Sequence, residues 1–292
     1  MKKRNTPVSI IIPTFNGLKL LKKNLPTVES LMIPGDELIV VDDASQDESA
    51  SWLISRYGLI KTTEHKEYDL YLSDDEKKNG VVCKLVVNKD NSRFALSSNR
   101  GVEQAQNRLI FLLNNDVTPD SNCLENLVDK FEEEDVFGVG CLEYEGSNKK
   151  GKKGGKNILW FDRGIFRHER AKDFKAGSAA WVSGGSGMFD RLKWLELAGF
   201  DIHYYPAYWE DIDLSMKARK RDWQVLFEPK AFVYHAHETT NAKVFSQKTL
   251  TKISWQNSDY FTVKHANFWQ SLAYYIWRPY WWYQRRKQLN LL

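Results

Sequence analysis

"VSIIIPTFNGLKLLKKNLPTVESLMIPGDELIVVDDASQ", residues 8–46, reads as a strand, a helix and a second strand. The runs VSIII (8–12) and ELIVV (37–41) are short, nearly continuous and rich in β-branched residues. That is the signature of strands buried on both faces. Between them, 18–32 carries a helical pattern. The alternation continues outward with strands at 82–87, 108–113 and 136–142, and helices at 46–57, 95–106 and 121–133. Such an order predicts an α/β fold with a mostly parallel sheet covered by helices on both faces. Ligands of these sheets sit beyond the carboxyl ends of the strands, so the residues after each strand carry the functional reading.

The bulk numbers set the frame. At 292 residues the chain makes one large domain or two ordinary ones of roughly 150 residues each. Its 42% apolar and 27% charged residues are those of a globular protein. A net charge of +4 excludes no class of partner. Cys83, Cys123 and Cys141 include no C-x-x-C pair, which argues for a reducing compartment and against a structural zinc. The apolar run before Pro13 is about five residues, shorter than the roughly 7–15 of a secretory leader. It is expected to be a buried strand in a cytoplasmic protein. No stretch reaches the roughly 20 apolar residues of a membrane span.

The residues after the strands are polar. Pro13-Thr14-Phe15-Asn16-Gly17 follows the first, Asp42-Asp43-Ala44-Ser45 the second, and Asn114-Asn115-Asp116 the fourth. Each could be a loop or a helix cap, but three such clusters fall on one sheet edge. The glycine loops of dinucleotide and P-loop folds are missing. Further on, PAYWEDIDLSMKARK (206–220) places Glu210, Asp211 and Asp213 directly after Tyr208 and Trp209. A helix start accounts for the acids, and Asp213 pairs in register with Lys217. It does not account for the aromatics. The Gly/Lys segment 146–156 is expected to be a mobile solvated loop, with a phosphate or anionic-lipid contact as the alternative. The charged stretch 62–80 reads as an insertion without an assigned function.

Taken in order, VSIIIPTFNG, LIVVDDASQDES, FLLNNDVTPD, GGSGMFDRLKWLELAGFD and YWEDIDLSMKARKRDWQVLFEPKAFVYH resemble the inverting family 2 glycosyltransferases of the GT-A fold. The likeness is greatest to the rhamnosyltransferase-like branch that builds bacterial surface polysaccharides. It runs from about residue 7 to 235 and more loosely to about 268. The resemblance implies a GT-A catalytic domain over 1–240, with a nucleotide-binding half at 1–120 and an acceptor half at 121–240. A C-terminal helical extension would occupy 241–292. It also implies transfer of a sugar from a nucleotide diphosphate donor to a glycan or lipid-linked acceptor, helped by Mn²⁺ or Mg²⁺.

The resemblance assigns roles that chemistry can test. Asp43 would recognise the base. An ionised carboxylate only accepts hydrogen bonds, which suits the N–H of UDP, dTDP or GDP and disfavours a CMP donor. Pro13, Thr14, Phe15 and Asn16 would line that pocket, and capping of the helix at 46 is the alternative for Asp42-Asp43. Asn114, Asn115 and Asp116 stand in the metal motif, where the first acid is an amide. Asp116 would be the one direct carboxylate, Asn114 would contact ribose or a metal-bound water, and His235 would be the further ligand. Asp211 would take the proton of the attacking hydroxyl. Glu210 and Asp213 would orient the loop and cap the helix, Tyr208 and Trp209 would stack on acceptor sugars, and Gly185 would let backbone approach the ligands. Two positions depart from the family: Lys217 replaces an Arg, and Asp222 replaces a Gly.

From Lys264 onward the chain has five Lys/Arg, four Trp, four Tyr and no acid. This reads as an interfacial helix or pair broken at Pro279, laid on an anionic membrane surface through residues 270–292. The protein would then be peripheral at the inner face of the plasma membrane. The alternative is an aromatic helix packed on the domain or on a second subunit. Nucleic acid is not an expected partner, since no fold that binds it accompanies these residues. Against the transferase reading stands a non-catalytic nucleotide-sugar or glycan-binding protein descended from one. A glycoside hydrolase would not need Asp43 or the metal triplet, and the Q-x-x-R-W motif of processive synthases is missing.

Overall fold

The computed structural model describes residues 4–73, 80–236 and 246–289. Its strands are β1 (Val8–Thr14), β2 (Glu37–Asp42), β3 (Ile60–Glu64), β4 (Tyr68–Leu72), β5 (Val82–Asn88), β6 (Leu109–Leu113) and β7 (Val117–Pro119). They continue with β8 (Val136–Glu145), β9 (Lys153–Gly154), β10 (Asn157–Asp162), β11 (Ile165–Arg170), β12 (Gly177–Ser178), β13 (Ser186–Asp190) and β14 (Gln224–His235). The helices are α1 (Leu18–Glu29), α2 (Ser49–Tyr57), α3 (Arg93–Gln104), α4 (Cys123–Val128), α5 (Arg191–Glu196), α6 (Glu210–Arg219), α7 (Gln247–His265) and α8 (Phe268–Gln288).

The main sheet runs β12-β14-β8-β13-β6-β1-β2-β5-β4-β3. Its heart, β6-β1-β2-β5, is parallel. Beyond β6 the sheet is mixed, because β13 is antiparallel to both β6 and β8, while β8 and β14 run parallel. Successive side chains of a strand point to opposite faces. Val8, Ile10 and Ile12 accordingly join one core with α1, α2 and α4, and Ile11 joins the other with α3, α5 and α6. Both faces are covered, which is why β1 and β2 are buried at nearly every position. A third cluster, with Phe166, Trp181, Trp209 and Phe261, packs the β10–β11 hairpin against α7.

Three expectations are corrected. The segment 62–80 is not a bare insertion: β3 and β4 form an antiparallel hairpin that extends the sheet beyond β5, and 74–79 lies outside the described residues. The helix expected over 121–133 stops at Val128 and tightens into a single 3₁₀ turn, Asp129–Glu132. The tail is not broken at Pro279, which lies inside α8. The break falls at Ala266, where Asn267 and Gln270 close a capping box that starts a new helix. A proline within a helix removes one hydrogen bond and crowds the preceding turn. Contacts on both sides of Pro279 hold the helix through it. Before it, a Cβ on Gly164 would lie 2.5 Å from the Ala273 carbonyl, so the hairpin turn and α8 touch backbone to backbone. After it, Trp281 Nε1 donates to the Arg163 carbonyl (2.6 Å), and Arg285 forks onto Asp259 of α7 (2.5 and 2.9 Å).

Candidate active site

The carboxyl ends of β1, β2 and β6 are laced into one edge. Asp43 N donates to the Thr14 carbonyl (2.8 Å), and Asn16, in a left-handed conformation (φ 49°), accepts from Gln46 N (2.7 Å). Asn115 Nδ2 donates to Thr14 Oγ1 (2.7 Å), and its carbonyl accepts from Asn24 Nδ2 (2.7 Å). Asp43 does not cap α2. Its Oδ1 accepts from Asn88 Nδ2 (2.8 Å) and Ser92 N (2.7 Å), and its Oδ2 from Arg93 N (2.8 Å). The carboxylate therefore pins the start of α3. A carboxylate offers about four acceptor sites, so one remains for a ligand. Pro13 and Phe15 are half-buried beside this edge.

Antiparallel pairing of β7 with β14 sets Val117 opposite His235 and brings His235 to Asp116. His235 Nε2 lies 3.3 Å from Asp116 Oδ1. Burial alone would lower the pKa of His235, but Asp116 in contact, with Glu143 and Glu145 beyond, raises it. Two residues expected as ligands thus meet from segments more than a hundred residues apart. Among the described residues no cluster of three or more His, Cys, Asp or Glu could hold a metal ion. One carboxylate and one imidazole fit a hard divalent cation whose other ligands come from substrate phosphates and water.

Between this edge and the acids lies the segment Ser183–Gly187. Asn114 N donates to the Gly185 carbonyl (2.9 Å), and a Cβ on Gly185 would sit 2.6 Å from Asn114 Nδ2. A larger residue there would displace the Asn114 side chain. On its other side the Asp211 carboxylate accepts from the backbone N–H of Gly184, and from Ile212 N at 2.8 Å.

The acids are presented by a strained turn. Tyr208 (φ 76°) and Trp209 (φ 81°) are both left-handed, a rare state for bulky residues that surrounding structure must enforce. Asn257 of α7 supplies that constraint, donating to the carbonyls of Tyr204 (3.1 Å), Ala207 (2.9 Å) and Tyr208 (2.9 Å). Glu210 is buried, and its Oε2 has no hydrogen-bond partner among the described residues. Burial, then the charge of Asp211, pushes Glu210 up to about 8. Burial also raises Asp211, to about 6, against the backbone N–H groups of Ile212, Gly184 and Asp211 itself, which favour its ionised form. Two neighbouring carboxyl groups in unlike surroundings separate into roles. Burial raises both groups, and Glu210 the further of the two.

Asp213 behaves differently from its neighbours. It faces away from the acids, fully buried, and binds Tyr204 Oη (3.0 Å), Lys264 Nζ (2.9 Å) and His265 Nε2 (2.7 Å). Burial opposes its ionisation, but His265 and Lys264 outweigh this and lower its pKa. It anchors α7 and the 204–209 turn and is not at the cavity. Lys217 is 3.6 Å from Asp213 as the helix spacing predicts, and donates to the carbonyls of Leu197 and Gly199 (2.8 and 3.0 Å).

Glu210 and Asp211 open onto a cavity of about 450 Å³ walled by His168, Trp181, Tyr208 and Trp255. Tyr208 is 39% exposed and faces it, whereas Trp209 is buried, its indole N–H donating to Ser254 Oγ (3.3 Å) and its ring packed on His168 and Phe261. The roles of His168, Trp181, Asn257 and Trp255 were not read from the sequence. The only signal for them was the aromatic density of 160–181 and 255–261.

A parallel βα core extended by a mixed half, with polar residues laced across the strand ends and a carboxyl pair above a glycine turn, is the GT-A arrangement of a nucleotide-sugar transferase. The match of residues 9–192 to the model of glycosyl transferase family 2 shows that the chain belongs to that family. It is 23% identical over 247 residues to the O-antigen chain rhamnosyltransferase RfbN of Salmonella typhimurium, covering 82% of this chain and 69% of that one. It is also 30% identical over 145 residues to a GalNAc(5)-diNAcBac-PP-undecaprenol beta-1,3-glucosyltransferase of Campylobacter jejuni, covering 49% and 41%. Among solved structures, a mannosyltransferase from Pyrobaculum calidifontis in complex with GDP-Man and Mn²⁺ superposes with a TM-score of 0.59 at 15% identity, covering 88% of this chain and 63% of that one. S. aureus TarS 1–349 in complex with UDP-GlcNAc gives 0.59 at 14% identity, covering 88% and 66%. The chain thus spans between two fifths and about two thirds of the length of these proteins. Among the described residues no helix is long and apolar enough to cross a membrane.

Proposed function

We propose that this glycosyltransferase moves a sugar, with inversion, from a nucleotide diphosphate sugar (UDP, dTDP or GDP) to a glycan or lipid-linked acceptor in bacterial surface polysaccharide synthesis. The observation that carries the proposal is the Glu210–Asp211 pair at the head of a cavity, with the Gly184-Gly185 backbone between it and Asn114. Asp43 and Thr14 hold the base and nucleoside. Asp116 and His235 would hold Mn²⁺ or Mg²⁺, which when bound neutralises charge on the leaving diphosphate. Asn114 and Asn115 complete that edge. The acceptor lies in the cavity with a sugar ring stacked on Tyr208, and its hydroxyl donates to Asp211. As its oxygen bonds to the anomeric carbon, its proton passes to Asp211 and the bond from that carbon to the phosphate oxygen breaks. Neutral Glu210 donates to the acceptor and fixes its pose.

In the same reading the enzyme works at the inner face of the plasma membrane, with residues 270–292 on anionic lipid. The exposure of Phe268, Trp269, Tyr275 and Ile276 on α8 supports this. The proposal is tested by incubating the protein with a panel of nucleotide sugars and Mn²⁺, then reading the anomeric configuration of the product by NMR. Inversion, lost in excess chelator and restored by Mn²⁺ or Mg²⁺, is expected. A retained configuration, or full activity in chelator, would overturn the mechanism or the metal assignment respectively.

A further inference from the structure

β8 carries a carboxylate with no part in the proposed proton transfer. On one face of this strand Val139 and Cys141 enter the core, and the next residue in that alternation is Glu143. β8 lies between β14 and β13 in the sheet. On the β14 side Glu143 pairs with Val233, which shares a face with His235 two residues on. On the β13 side the fully buried Ser186 donates from Oγ to Glu143 Oε1 (2.6 Å). Ser186 belongs to the same glycine segment whose Gly184 N–H donates to Asp211. Glu143 thus stands between the Asp116–His235 pair and the turn that holds Asp211.

Its charge acts on both neighbours. Beyond burial and the Asp116 contact, it adds to the rise at His235, and beyond burial it adds to the rise at Asp211. Ser186 fixes one of its oxygens. Among the described residues Glu143 makes no other side-chain hydrogen bond or ion pair, and it is half-buried, so Oε2 is left for a ligand. Nor does Glu143 join Asp116 and His235 in a cluster that could hold a metal ion, among those residues. An ionised carboxylate only accepts hydrogen bonds, so the open oxygen suits an O–H.

We propose that Glu143 binds the sugar of the donor, its Oε2 accepting from a ring hydroxyl, and that this contact selects which sugars are transferred. The inference rests on reading Asp116 and His235 as the diphosphate side and Asp211 as the base, because the transferred sugar must then lie between them. A sugar with a hydroxyl at the contacted position satisfies Oε2. One that is deoxygenated there leaves a half-buried charge unpaired, and one that carries a carboxylate there meets a like charge. A site built to bond a substrate hydroxyl discriminates strongly against the analogue that lacks it.

The test compares each nucleotide with its sugar. Affinities of UDP, dTDP and GDP, and of UDP-glucose, dTDP-rhamnose and GDP-mannose, are measured with Mn²⁺ by calorimetry on the full chain, as wild type and as Glu143→Gln. The amide keeps the size and still accepts from Ser186, but it loses the charge. The variant should bind the free nucleotides as wild type does and lose roughly 10-fold for the nucleotide sugar that wild type binds, with an unchanged melting profile. Ser186→Ala, which frees the carboxylate to swing, should show the same pattern to a smaller extent. An equal loss for nucleotide and nucleotide sugar would make Glu143 a metal or diphosphate contact, and an unchanged sugar affinity would leave it a structural group. Either result overturns the proposal. A wild-type chain that binds no nucleotide at all would sink the donor reading itself, and this inference with it.

Discussion

The donor edge and the acceptor cavity treat their carboxylates in opposite ways. Asp43 takes three short bonds from Asn88, Ser92 and Arg93, and it anchors a helix with one acceptor site left. Glu210 Oε2 has no partner among the described residues, Asp211 accepts only from backbone N–H groups, and burial lifts both out of the ordinary carboxylate range. A recognition group gains from rigidity and a fixed charge. A proton acceptor gains from a pKa near the working pH, which burial supplies at Asp211 against its backbone bonds. In the proposed mechanism the same side-chain chemistry serves binding at one edge and proton transfer at the other.

The largest expected break in this comparison is Asp211→Asn. The amide keeps size and packing but takes no proton, so kcat should fall about 10²–10⁴-fold while nucleotide-sugar affinity, read by thermal shift, stays near wild type. Loss of donor affinity together with kcat would place Asp211 on the donor side. Asp43→Asn should do the reverse. Its amide N–H₂ would oppose one of the N–H groups now donated to it. Donor affinity should drop roughly 10–100-fold, corresponding to about 1.5–3 kcal/mol for a bond to a charged group, with a matching loss of stability in urea titrations. Equal effects of the two variants on donor binding would erase the distinction.

Next comes Asn257→Leu, which strips three donated bonds from the strained turn. It should cost about 2–3 kcal/mol of stability and raise KM for the acceptor rather than the donor. An unchanged acceptor KM would show that the turn holds its shape without α7. The smallest effect is at Asp222, which adopts φ 59°, a conformation that favours glycine. Asp222→Gly should relieve left-handed strain and add about 0.5 kcal/mol, raising Tm by about 1–2 °C with activity unchanged.

The two regions also differ in how much of them could be read in advance. The donor edge is local. Each of its residues follows directly on a run of β-branched strand, so Thr14, Asp43, Asn114 and Asp116 announce themselves through strand-end position. The acceptor cavity is assembled over distance. Asn257 reaches carbonyls about 50 positions away, and β10 and β11 carry no period that separates them from loop. Asp213 looked like a member of the acid cluster, because its partners Lys264 and His265 lie on a helix that spacing cannot bring near. Pro279 looked like a break, because the anchors that hold α8 on either side of it belong to the hairpin and to α7.

In the proposed mechanism Asp211 is an ionised base beside a protonated Glu210. The most direct test of this is the pH dependence of kcat in wild type and Glu210→Gln. A base must be deprotonated to act, so wild-type activity should fall as pH drops through the raised value of Asp211, about 6. A donor must be protonated, so activity should fall again as pH rises through about 8, where Glu210 ionises. Glu210→Gln, which remains a donor at every pH, should keep the acid limb and lose the alkaline one. A wild-type profile with no acid limb above the ordinary carboxylate range, or an alkaline limb that survives in Glu210→Gln, would contradict the account.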